Sequence, residues 1–192
     1  RPGTSIPHLK KPLPELAADR GMTEAELAQQ LEAGRLALFS EREKRVHRLK
    51  DDKILTDWNG LMIAALALGG RAFDQPRYVA AAARAADFVW TRLRDADGRL
   101  LKRWRAGAAG IPAVLDDHAF LLDALLELLQ ARWNTEHLEF AQHLADLMLE
   151  HFEDKENGGF WFTANDHEQL IHRSKPLADE AVPSGNGIAA FA

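Results

Sequence analysis

Asp116 and Asp117 stand side by side just before the apolar run Ala119-Phe120-Leu121-Leu122, and they are the residues best suited to acid–base chemistry. A positioned carboxyl group moves a proton to or from a reacting atom. One aspartate at a helix start is an ordinary cap, contributing about 0.5–2 kcal/mol to the helix. A second one beside it needs another role, so Asp116 and Asp117 form the candidate catalytic pair. The same kind of polar opening occurs twice more. Asp57-Trp58-Asn59-Gly60 precedes Leu61-Met62-Ile63, and Ser184-Gly185-Asn186-Gly187 precedes Ile188-Ala189-Ala190-Phe191. Asp57, Trp58, Asn59, His118, Ser184 and Asn186 are the candidate substrate-binding residues. They offer a tryptophan face for a sugar ring and amide, hydroxyl and imidazole groups for its hydroxyls. The serine motif is not the G-x-S-x-G of a nucleophile elbow.

Metal and redox chemistry find little support. The chain has no cysteine, which removes thiolate ligands and C-x-x-C chemistry from it. His167-Glu168-x-x-x-His172 is one residue too long to place two histidines one helical turn apart. No metal and no cofactor is expected. His137, His143 and His151 lie on a one-sided helix and read as surface residues.

The helices that position these openings follow from the apolar pattern. Residues 1–22 are proline-rich at first and read as an extended arm or linker. Thr23 and Glu26 form a Thr-x-x-Glu capping box opening a helix to about Val46, with Leu27, Leu31, Leu38 and Phe39 on its apolar face. The runs 61–68 and 119–128 are apolar all round, so they should be buried on most sides, as should the run beginning at Ile188. Residues 76–94 and 135–152 read as one-sided helices. Asp97-Gly98 is a turn, 100–104 a short strand and 106–112 a glycine- and alanine-rich loop. Phe160–Thr163 and Leu170–His172 are strand-like and should pair as a hairpin.

The openings at Asp57, Asp117 and Ser184 lie 60 and 67 residues apart, which makes the pattern a repeat. An all-apolar helix needs neighbours on every side, whereas a one-sided helix can lie outside it. Alternating the two gives an inner ring backed by an outer ring. The expected class is therefore all-α: a partial (α/α)6 toroid of helical hairpins with short β-hairpin inserts. Residues 23–192 would be its first half, truncated at the C-terminus, and the uncovered face would favour self-association. In such a ring the inner helix N-termini, with their unpaired N–H groups, converge at one end.

With 192 residues and 46% apolar content, the chain can bury a real core. A net charge of −5 with both signs mixed gives no footprint for nucleic acid. No apolar stretch reaches membrane-spanning length. A cytoplasmic location is expected.

The stretch Lys53 to Ala65, with Thr56-Asp57-Trp58-Asn59-Gly60 at its centre, resembles the YyaL-type family, which includes the spermatogenesis-associated thioredoxin-domain protein of animals. Gly3-Thr4-Ser5-Ile6, Leu115-Asp116-Asp117-His118-Ala119-Phe120-Leu121, and Gly158-Gly159-Phe160 through Arg173, Lys175, Asp179 and Pro183-Ser184-Gly185-Asn186 agree with it in order along the chain. The sequence departs from the family pattern at His118, often tyrosine, and at Gly187, often serine. The resemblance implies a parent protein with an N-terminal thioredoxin-like domain followed by a six-hairpin glycosidase-like toroid, akin to N-acylglucosamine 2-epimerases. Two functional readings follow. One is a carbohydrate-active or carbohydrate-binding domain, epimerase-like or hydrolase-like, taking a sugar-like small molecule. The other is a non-catalytic helical domain serving a binding partner, including the parent's thioredoxin-like domain.

Overall fold

A computed structural model describes residues 8–47, 49–168 and 171–192. The chain divides into two compact units, one up to Asp51 and one from Asp52 to Ala192. In the first unit, α1 (Leu13–Ala18) precedes α2 (Glu24–Glu43). The capping box at α2 is formed: Thr23 Oγ1 accepts from Glu26 N at 3.2 Å, and Thr23 N donates to the Glu26 carboxylate at 2.8 Å. The arm expected over residues 1–22 instead carries α1. Its Pro14 sits in the first turn, where a missing N–H removes no helical bond, and its Ala17 is buried. Of the apolar face expected on α2, Leu27 is buried, while Leu31, Leu38 and Phe39 are exposed.

The second unit runs β1 (Ile54–Leu55), α3 (Thr56–Ala72), α4 (Pro76–Arg92), β2 (Leu101–Arg105), β3 (Ala108–Pro112), α5 (Leu115–Ala131), α6 (Thr135–His151) and α7 (Gly185–Phe191). Packing follows the repeat. α5 lies against α3 on one flank and α7 on the other, α4 backs α3, and α6 backs α5. This is a row of three inner helices with outer helices behind them. α3 and α5 approach so closely at Gly60 that a Cβ there would stand 2.7 Å from the Phe120 carbonyl carbon. The core is continuous from Ile63 and Ala67 through Phe120, Leu121 and Leu125 to Phe140, Leu144 and Phe152.

The expectation that every inner helix is better buried than the outer ones holds for α5 alone. α3 leaves Trp58, Met62 and Leu68 exposed, and α7 leaves Phe191 exposed, whereas α6 buries Phe140, Leu144 and Met148. Among the described residues α5 has an inner neighbour on each side, and α3 and α7 have one each. His137, expected at the surface, is 4% exposed and sits 2.9 Å from the Asp87 carboxylate.

The link from α4 to α5 folds as a hairpin. β1, β2 and β3 make an antiparallel sheet in that order, pairing Leu55 with Arg103 and Leu101 with Pro112. The expected strand at 100–104 is β2. The expected loop at 106–112 is instead mostly β3, because Ala106 and Gly107 make the tight turn alone, at φ of 50° and 84°. Residues 160–163 form no strand: Phe160 makes a single bridge to Glu153, and Phe162 N donates to Ser174 O at 2.9 Å. Leu170 of the expected partner strand lies outside the described residues. Among the described residues no helix is long and apolar enough to cross a membrane.

Candidate functional site

The starts of α3, α5 and α7 gather at one end of the inner row. Asp117 ties two of them together. Its carboxylate accepts from Val114 N, at the start of its own helix, at 2.8 Å, and from Asp57 N, in the first turn of α3, at 3.1 Å. Lys102 of β2 reaches the same group, 3.4 Å from Asp117 Oδ2 and 3.2 Å from Asp57 Oδ2. The hairpin is fixed over these helix starts by Thr56 Oγ1, which donates to Leu101 O at 2.6 Å. Asp57 and Asp117 are therefore not N-caps of their own helices; Leu55 and Val114 hold those positions.

Electrostatics separates the two central aspartates. Asp117 is fully buried. Burial pushes its carboxyl up to about 7, against the opposing pull of Lys102 and the Val114 N–H. Burial alone would lower the Lys102 ammonium, but Asp117 and Asp57 together hold it above its ordinary value. Asp116 is partly buried, and its Oδ1 is buried with no hydrogen-bond partner. Burial raises its pKa; Lys102 counters this and Asp57 adds to it. The backbone of Gly185, in the first turn of α7, lies so near Asp116 Oδ1 that any side chain at 185 would run into it.

The other candidates divide. Asn186 is buried with both ends of its amide engaged: it accepts from Phe160 N at 2.7 Å and donates to Phe160 O and Pro176 O. Ser184 caps α7 through Gly187 N at 3.4 Å and donates to Pro176 O. Asn186 holds Phe160 and Pro176 against α7, and Ser184 holds Pro176. Asn59 donates to Leu55 O at 2.7 Å, on its own helix start. Trp58 is 63% exposed, so it is neither core nor the wall of an enclosed pocket. His118 turns away from the carboxylates. It is 2% exposed, packs on Phe152 and holds Val114 O at 2.9 Å through Nδ1. Burial lowers its pKa to about 4, so the ring is neutral near pH 7.

Lys102, Thr56 and Gly185 were not selected from the sequence. Lys102 carried a weak signal, one of three cations (with Arg103 and Arg105) in a short strand between two acidic helix starts. Gly185 carried a weaker one, a glycine inside a helix opening. Among the described residues no three His, Asp or Glu side chains are grouped to hold a metal ion.

No family model matches the chain. It is 33% identical to spermatogenesis-associated protein 20 of Mus musculus over 187 residues, covering 92% of this chain and 24% of that protein. The protein of the same name from Rattus norvegicus is 32% identical over 170 residues, covering 83% of this chain and 22% of its own length. The chain thus spans about a quarter of the length of the curated relatives it matches. Among solved structures, cellobiose 2-epimerase from Bacillus thermoamylovorans superposes with a TM-score of 0.53 at 14% identity, over 58% of this chain and 32% of that one. Cellobiose 2-epimerase from Spirochaeta thermophila gives 0.51 at 21% identity, over 57% and 28%. At these identities the likeness concerns the fold.

Proposed function

The chain belongs to the spermatogenesis-associated protein 20 family, and from that premise we propose that the end of its inner helices is a carbohydrate-binding, carbohydrate-active site with Asp116 as the acid–base group. One observation carries this reading. Asp116 is the aspartate whose Oδ1 is buried and unpartnered, while Asp117 is engaged by two backbone N–H groups and Lys102. A carboxyl whose pKa is raised by burial, and whose buried Oδ1 takes no hydrogen bond, suits proton transfer. Asp117 and Lys102 then serve as the support that holds the helix starts in place. The fold of the cellobiose 2-epimerases supports a sugar-like substrate by analogy of architecture.

The test uses the full-length protein, cellobiose and D2O. An epimerase-like reaction removes the proton beside the sugar carbonyl, so solvent deuterium enters at that carbon. Asp116→Asn should lower exchange by about 10²–10⁴-fold with little loss of folding stability. An Asp116→Asn protein that exchanges at the wild-type rate overturns the assignment, and a wild type that neither exchanges nor binds cellobiose overturns the reading for this sugar. The second reading, a non-catalytic helical domain that presents a surface to a partner, is favoured by the exposed Trp58, Met62 and Leu68 on α3.

A further inference from the structure

Asp116 and His118 are two residues apart, so they project from nearly opposite sides of α5. On the His118 side lies a cavity of about 600 Å³ between the β2–β3 hairpin and residues 164–168. That volume suits a small molecule. His118 forms part of its wall. Its Nδ1 lies 2.9 Å from the Val114 carbonyl, which can only accept, so Nδ1 carries the ring proton and Nε2 presents a bare lone pair. With the Nδ1 edge tied back to the helix start, the Nε2 edge is the free one. Nε2 is buried and has no partner, and His167 Nδ1, in the same wall, is likewise buried and unpartnered. Buried polar atoms are nearly always bonded, so two orphans around one cavity call for an occupant.

The charges say which kind. Arg99 forks onto Asp166 at 2.6 and 3.2 Å and is neutralised there. Asp95 Oδ1 accepts from Asp97 N and Arg99 N in its own turn, and the exposed carboxylates of Asp97 and Glu168 stand at the cavity with no further lysine or arginine among the residues that line it. Ile111 and Pro112 add an apolar strip. An anion would face three carboxylates and a lone pair. A neutral alcohol would donate a single O–H to one carboxylate, whereas an ammonium brings three N–H donors and a charge that offsets the carboxylates. We infer that this cavity is a binding site for a small primary alkylammonium, with its N–H donors toward His118 Nε2 and the carboxylates and its carbon chain along Ile111 and Pro112. The site is separate from the one built on Asp116.

The experiment follows the ring nitrogens of histidine-labelled full chain by ¹⁵N NMR near neutral pH, with n-butylamine, n-butanol and butyrate as probes. Butylammonium should shift the His118 Nε2 resonance saturably in the millimolar range, and butanol and butyrate should not. His118→Phe should abolish binding measured by calorimetry. Asp97→Asn combined with Glu168→Gln, both at exposed positions, should weaken binding about tenfold. If His118→Phe fails to fold, the wild-type titration and the double variant decide alone. No shift up to about 50 mM butylamine, an equal shift with butanol, or unchanged affinity in the double variant overturns the inference.

Discussion

Two neighbouring residues of α5 make folding stability respond to pH in opposite senses. Asp117 has its carboxyl raised to about 7 by burial, so relative to the unfolded chain its contribution is present in acid and is lost as pH rises from about 4 through 7. His118 has its imidazole lowered to about 4 by burial, so its contribution is present above pH 6.5 and is lost as pH falls toward 4. At about 1.4 kcal/mol per unit, the two swings are of similar size, roughly 3–4 kcal/mol, and opposite in sign, so in the wild type they largely cancel between pH 4 and 7. Removing either group should unmask the other. Urea unfolding of Asp117→Asn should show stability rising with pH across this window, and His118→Phe should show it falling. Equal slopes in the two variants would mean that neither carboxyl nor imidazole is buried as described.

Helix α3 meets α5 backbone to backbone at Gly60, and this contact sets the spacing of the inner row. A Cβ at 60 would stand within 2.9 Å of three backbone atoms of Phe120 and Leu121, none of which can move without shifting α5. Gly60→Ala should therefore destabilise by about 1–3 kcal/mol or more, as overpacking does. Gly34, inside α2, has open space where a Cβ would go. Gly34→Ala should stabilise by about 0.5–1 kcal/mol, the ordinary helical gain of alanine over glycine. Chemical denaturation of the two single variants reads both signs. A Gly60→Ala protein as stable as the wild type would deny the close approach.

The described core from Ile63 to Ala164 lies wholly within the second compact unit. A chain of residues 52–192 should therefore unfold in its own cooperative transition, seen as a sigmoidal loss of helical circular dichroism. A broad, non-cooperative melt would show that the second unit needs the first. The same unit exposes Trp58, Met62 and Ala65 along one face of α3, with Leu68 at its edge. An exposed apolar stripe of this kind favours association. Sedimentation should show weight rising with protein concentration, and Met62→Lys with Leu68→Glu should suppress that rise.

The repeat was legible because it is local. Apolar runs of helical length, each opened by Asp57, Asp117 or Ser184, mark where inner helices begin, and the Thr23–Glu26 box and the Asp97-Gly98 turn are short-range signals of the same kind. Those signals also mark the three helix starts that the fold gathers at one end of the inner row. They could not assign roles among the residues there. Asp116 and Asp117 are equivalent as text. Only packing decides that Asp117 faces Asp57 N and Lys102 across 60 and 15 residues of chain while Asp116 has its Oδ1 buried against Gly185 without a hydrogen bond. His118 adjoins them in sequence, yet the helical turn sends it to the opposite side of α5, into the wall of the cavity beside residues 164–168. Burial of α3, α6 and His137 was misjudged for a related reason. The apolarity of a helix states how much cover it seeks, whereas its exposure depends on which neighbours reach it, and those neighbours come from distant segments.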